Sequence, residues 1–149
     1  MVQSTDFKIE LPREDWEDQT VYAFKAPRVA DTDHWVLMTI DRQLRQDTVE
    51  KFAKEKIKAI AGSLQSVEVL KDQEVTLKKG NPVYEYVIKG VIGHQLSRYR
   101  KYVFVFYDNR GFTINTEFTK KSYKLLNPQL KELIEYFFPG TYKPLEKKP

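Results

Sequence analysis

The longest run of strand-like patterning extends from Leu96 to Phe118, LSRYRKYVFVFYDNRGFTINTEF. Aromatic and β-branched residues crowd both halves, as a pleated strand favours. Asp108-Asn109-Arg110-Gly111 predicts the turn between them, with Asn and Gly available for positive φ. On the first arm Tyr102, Phe104 and Phe106 share one side, and Tyr99, Lys101, Val103 and Val105 share the other. A strand with one side in water should be polar there. Here both sides are largely apolar, with a lysine set among valines.

Similar alternation recurs along the chain. Phe7 to Leu11 predicts a first strand closed by Pro12, and Thr20 to Lys25 a second, with Tyr22 and Phe24 opposed to Val21 and Ala23. His34 to Asp41 predicts a third, with Val36, Met38 and Ile40 opposed to Trp35, Leu37 and Thr39. Helical spacing then takes over. Val49, Phe52, Ala53, Ile57, Ile60 and Leu64 form one stripe, with Asp47 and Glu50 at capping-box spacing before it and Gly62 placed as a C-cap. Val67 to Leu77 predicts one bent strand or two short ones, Lys79 to Pro82 a turn, and Val83 to Ile92 a strand with Gly90 as a candidate bulge. After the hairpin, Asn127 and Pro128 predict the start of a second helix, with Leu130, Leu133, Ile134 and Phe137 as its stripe and Pro139-Gly140 as its stop.

Strands, a helix, further strands and a last helix, joined by short turns, imply an α+β fold with a mostly antiparallel sheet and two helices packed on one face. Residues 1–140 form a single domain on this reading, and 141–149 a flexible basic tail. Two helices on one face leave the other face of the sheet bare. By parity that face collects Val21, Ala23, Leu37, Thr39, Val87, Lys101 and Val103. An open apolar surface of more than a few hundred Å² usually marks a binding interface.

Composition narrows the picture further. At 41% hydrophobic and 31% charged, the chain has the makeup of a folded domain rather than a disordered one. It contains no cysteine, which excludes disulfides and thiol chemistry. The N-terminus lacks a basic region followed by an apolar run, and no apolar run reaches the ~20 residues of a membrane span, so a cytoplasmic protein without direct membrane insertion is expected. The net charge of +4 is a mild excess, partly in the tail lysines. His34 and His94 stand in no metal-ligand spacing and read as surface turn residues. The Glu14-Asp15 and Glu17-Asp18 pairs read as a solvated acidic loop. No nucleophile elbow, phosphate loop or dinucleotide fingerprint is present, so neither enzymatic activity nor a cofactor or metal is expected. Arg98-Tyr99-Arg100-Lys101-Tyr102 interleaves bases and aromatics, but alternation splits that cluster between two faces, which argues against nucleic acid.

Ile9-Glu10-Leu11-Pro12, then Trp16-Glu17-Asp18-Gln19-Thr20, then Phe24-Lys25-Ala26-Pro27 resembles the opening of DcrB-related proteins, and within them the Eag chaperones of type VI secretion. The Ile40-Asp41-Arg42 strand end, the helix after it and the Arg100-Lys101 strand follow the same order. The resemblance implies a PsbP-like fold, a homodimer, and a cytoplasmic chaperone or adaptor. Such a protein binds the hydrophobic N-terminal transmembrane segment of a secreted effector and keeps it soluble for loading on the secretion spike. Carried over by position, the client-contacting residues are Val21, Ala23, Thr39 and Lys101, with Lys56 on the first helix. Lys101 departs from the pattern, since an amide such as glutamine is usual there. The alternative is a generic dimeric protein-interaction module of the same fold without a transmembrane client.

Overall fold

A computed structural model of the chain describes residues 2–3, 8–16, 19–42, 48–63, 67–91 and 97–139. Phe7, the Glu17-Asp18 pair, Asp47, Leu64, Ile92, His94, Gly140 and the 141–149 tail lie outside the described residues. Strands β1 (Val2–Gln3) and β2 (Lys8–Ile9) form a small antiparallel pair. The main sheet is built from β3 (Val21–Lys25), β4 (Trp35–Asp41), β5 (Val67–Thr76), β6 (Pro82–Val91), β7 (Ser97–Tyr107) and β8 (Arg110–Phe118). Its order is β3-β4-β8-β7-β6-β5, and every neighbouring pair is antiparallel. With helices α1 (Val49–Ser63) and α2 (Lys120–Glu135), this is the expected α+β architecture.

Local chemistry accounts for the turns. In the β7–β8 hairpin Tyr107 pairs with Arg110, so the loop is only Asp108-Asn109, with φ of 48° and 58°. Asp and Asn tolerate that left-handed conformation, and it suits the twist of a two-residue hairpin. Gly111 is thus not a turn residue. It lies on β8 beneath α1, where an added Cβ would stand 2.2 Å from the Phe52 ring. The bulge lies on β5, where the register shifts between Val69 and Lys71, while Gly90 pairs regularly with Val67 and Arg98.

The helices lie on opposite faces of the sheet, not on one. Val49, Phe52 and Ala53 of α1 are buried with Tyr84, Tyr86, Ile88, Tyr102 and Phe104. Leu126, Leu130 and Ile134 of α2 are buried with Val36, Val83, Val103, Val105, Phe112, Ile114 and Phe118. The reason is the β7 pattern. Both of its sides are apolar because both are covered, and a strand covered twice loses its polar face.

Both helix starts differ from those expected. The Thr48 hydroxyl accepts from the Lys51 backbone N–H at 3.2 Å and caps α1, while Glu50 pairs with Lys54 one turn on, at 2.8 Å. Gly62 lies within the helix. In α2, Thr119 and Ser122 form a reciprocal capping box, so the helix begins well before Asn127 and carries Pro128 inside it, on the exposed side. Leu133 is consequently half exposed, and Phe137 lies past the helix end against Phe112, with ring centroids 5.2 Å apart.

The Phe52–Gly111 contact gives the first prediction. Gly111→Ala forces a methyl group into a packed ring, and the expected loss is about 1–3 kcal/mol in a denaturant melt. A neutral result would show that α1 does not press on β8.

Candidate functional site

Each helix covers the central strands; β3 extends beyond both, and β4, whose Val36 is sealed on the α2 side, extends beyond α1. The antiparallel register fixes what shares the α1 side of the sheet there. Val21 stands opposite Thr39, Ala23 opposite Leu37, and Lys25 opposite Trp35. Across β4, Thr39 faces Thr113, and Leu37 faces Asn115. Val21 is 52% and Trp35 50% exposed. Ala23 is exposed as well, and Leu37 and Thr39 are partly so. The result is a trough with an aliphatic floor on β3–β4, a polar row from β8, and α1 along one side.

Lys56 reaches from α1 to Asp41 of β4, its Nζ 2.7 Å from Oδ2. It stands at the helix-side rim of the trough. Thr113 buries its hydroxyl without a hydrogen-bond partner among the described residues. An unpaired buried hydroxyl is costly, and with its oxygen sealed from the surface Thr113 belongs to the packing behind the trough rather than to its contact surface. Beyond Leu37, a pocket of about 510 Å³ continues the trough past Trp35 and Asn115 to Arg98, Arg100 and Glu117.

The remaining sequence candidates are elsewhere. Val87, Lys101 and Val103 are 0%, 2% and 3% exposed, on the opposite side of the sheet beneath α2. The expected seven-residue face is therefore split. Val21, Ala23, Leu37 and Thr39 stay together, and Val87, Lys101 and Val103 are core. Register is the cause, because the two faces exchange on every one-residue step. Tyr99 also belongs to the α2 side, stacked on Tyr123 with ring centroids 5.2 Å apart.

Lys101 has a structural role. Its Nζ donates to the Asn127 Oδ1 at 2.9 Å and lies 3.6 Å from the Glu85 carboxylate, tying β7 and β6 to the middle of α2. Burial pushes its pKa below the ordinary lysine value, while Glu85 works in the opposite direction and Lys71 and Lys131 add to the lowering.

His34 is likewise not a surface residue. It is 3% exposed, its Nδ1 is 3.0 Å from the Thr32 carbonyl and its Nε2 2.8 Å from the Ser122 Oγ. With Nδ1–H donating to that carbonyl, Nε2 is left to accept from the serine. This histidine–serine pair has hydrogen-bond geometry suited to nucleophile activation. However, Ser122 is fully buried, and its Oγ also accepts from the Thr119 backbone N–H at 2.9 Å. The pair fastens the start of α2 to the loop before β4. Among the described residues no three His, Asp or Glu side chains come together as a metal site, and no helix is long and apolar enough to cross a membrane.

A second apolar opening lies on the α2 side of the same outer strands. It is a cleft of about 270 Å³ lined by Phe24, Val36, Met38, Ile114, Leu133 and Tyr136, together with Phe137. Phe24 is 52% and Tyr136 69% exposed. The outer strands thus show apolar surface on both sides.

No protein-family model and no curated protein matches the chain. Among solved structures it is similar to PA94 of Pseudomonas aeruginosa, a protein of unknown function suggested to be a regulator. The TM-score is 0.73 at 13% identity, covering 95% of this chain and 96% of the other. At that identity the likeness is one of fold, and it extends over nearly the whole of both chains. A looser overlap links it to the Ran-binding protein Mog1p of Saccharomyces cerevisiae, with a TM-score of 0.43 at 14% identity over 80% of this chain and 70% of that one.

The placement of Lys101 predicts a pH effect. Below its folded-state pKa, both the folded and unfolded chains carry the proton and the fold bears a buried charge. As pH rises toward the unfolded value of about 10.4, the folded state releases its proton first and stability rises. Lys101→Met should cost no more than about 2 kcal/mol near neutral pH, since lost contacts to Asn127 and Glu85 are offset by relief of the buried ammonium. Urea titrations from about pH 8 to about pH 10 should show the wild type gaining on the variant. A constant or shrinking difference would contradict a charged, buried Lys101.

Proposed function

We propose that this protein is a chaperone or adaptor that holds a hydrophobic helical segment of a partner protein in the trough on β3 and β4. The observation that carries the reading is the exposed floor of Val21, Ala23 and Leu37, which neither helix covers. Aliphatic surface on a sheet is worth about 25 cal/mol per Å² when an apolar helix removes it from water. Thr39 and Asn115, both partly exposed, supply hydrogen-bonding groups beside that floor. Such groups select a partner, because one without matching polar atoms leaves them unpaired in a dry interface.

The resemblance to Eag chaperones gives this reading its specific form, a client that is the N-terminal transmembrane segment of a type VI secretion effector, held in the cytoplasm before export. It also makes two copies the working assembly. Two copies would give the exposed apolar surface on the α2 side of β3 a use separate from client binding. No catalytic step, cofactor or nucleic acid enters this account.

The test is a pair of surface variants. Val21→Asp and Ala23→Asp alter exposed positions and should change stability by less than about 0.5 kcal/mol. Each should abolish detergent-free recovery of a partner bearing an apolar N-terminal segment. If both variants fold and retain that partner, the trough is the wrong surface.

A further inference from the structure

The trough does not end on apolar residues. At its far end Arg98 and Arg100 stand two residues apart on β7, on the same side of the sheet as Leu37 and Trp35. Both are half-buried, and both line the pocket of about 510 Å³. No ion pair or side-chain hydrogen bond holds either guanidinium among the described residues. Glu117 is the direct cross-strand neighbour of Arg100, yet no salt bridge joins the two and Glu117 is exposed. Asp33, on the pocket wall, is already engaged by Lys25 and Arg28, each at 3.8 Å. Two guanidiniums thus share a concave site with one free carboxylate. A planar fork of this kind is suited to receiving a carboxylate through paired hydrogen bonds.

From this geometry we propose that Arg98 and Arg100 anchor a single carboxylate of the bound segment. The partner is then an apolar helix carrying an aspartate or glutamate at one end. This rests on the reading of the trough as a helix site and adds what that helix must contain. The spacing follows from the sheet. From the Val21–Thr39 row to the Trp35–Glu117–Arg100 row is four residues along the strand, or about 13 Å, and from β3 to β7 is three strand spacings, or about 14 Å. A helix seated on Val21 and crossing diagonally therefore reaches the arginines after about 13 residues at 1.5 Å each.

The same pocket argues against a polyanion. Glu117 faces it without an ion-pair partner among the described residues and would repel a run of phosphates. Tyr102 is 9% exposed and offers no ring for base stacking, and Lys101 lies on the other side of the sheet.

The experiment uses the full chain and two probes, each an apolar helix of about 20 residues fused to a soluble carrier, with one Glu or one Gln about 13 residues along the helix from the end seated on Val21. The Glu probe should bind the wild type about five- to tenfold more tightly than the Gln probe. Arg98→Gln with Arg100→Gln should erase that difference and leave the Gln probe unchanged. Glu117→Gln should tighten the Glu probe, a gain that misfolding cannot produce. Equal affinity for the two probes, or an equal loss of both in the double variant, would overturn the anchor while leaving the trough as the helix site. Failure of both probes to bind would overturn the trough reading and the anchor with it. An oligothymidylate that binds the wild type but not the double variant would also overturn the proposal, and would assign the arginines to nucleic acid.

Discussion

A helix is about 10 Å across, and strands stand about 4.8 Å apart, so one helix covers little more than two strands. The main sheet has six strands and two helices, placed on opposite faces. Both helices pack toward its middle, where β7 is sealed on both sides and carries apolar residues in both directions. Phe52 seats on Gly111 from one face, and Leu126, Leu130 and Ile134 seat on the other. What this arrangement cannot do is cover β3 on either side or β4 fully on the α1 side. Val36 of β4 is sealed with α2, but Val21, Ala23 and Phe24 of β3 stay in water and Leu37 is only partly covered, and the candidate site is the direct result of that shortage of cover.

The site's character follows from which residues the register brings to the uncovered area. Val21, Ala23 and Leu37 provide apolar floor. Thr39 and Asn115 provide hydrogen-bonding groups, and Arg98 and Arg100 provide charge at one end. Lys56 and Asp41 close the side nearest α1 with an ion pair. A surface graded from apolar to basic over about 20 Å suits an extended amphipathic object better than a compact small molecule. The buried polar groups elsewhere serve the fold. His34 and Ser122 fix the start of α2, and Lys101 with Asn127 and Glu85 fixes its middle.

Much of this was legible in the sequence. Alternation on the outer strands, and the crowd of aromatic and β-branched residues on β7 and β8, locate the six strands of the main sheet to within a residue or two. The face residues of each single strand were also legible, as with Tyr22 and Phe24 against Val21 and Ala23. What alternation cannot supply is the register between strands, and it is the register that sets Val87, Lys101 and Val103 on the opposite face from Val21, Ala23, Leu37 and Thr39. The two apolar sides of β7 signalled two covering helices, and the lysine among the valines masked it. The start of α2 was obscured by Pro128, which resembles a first-turn proline. The actual cap, Thr119-Lys120-Lys121-Ser122, has serine in place of the usual glutamate and lysines where acidic residues suit the helix dipole. His34 looked like a turn residue because its burial depends on Ser122, far away in sequence.

The most direct test of the account is site-specific photocrosslinking from position 23, at the centre of the trough floor, in a detergent-free lysate of the host. The account predicts one dominant partner, crosslinked through an apolar stretch of helical length, with no such product when the same crosslinker replaces exposed Leu125 on α2. Crosslinks only to polar peptides, or the same partner captured equally from both positions, would contradict the claim that the uncovered face of β3 and β4 holds an apolar segment.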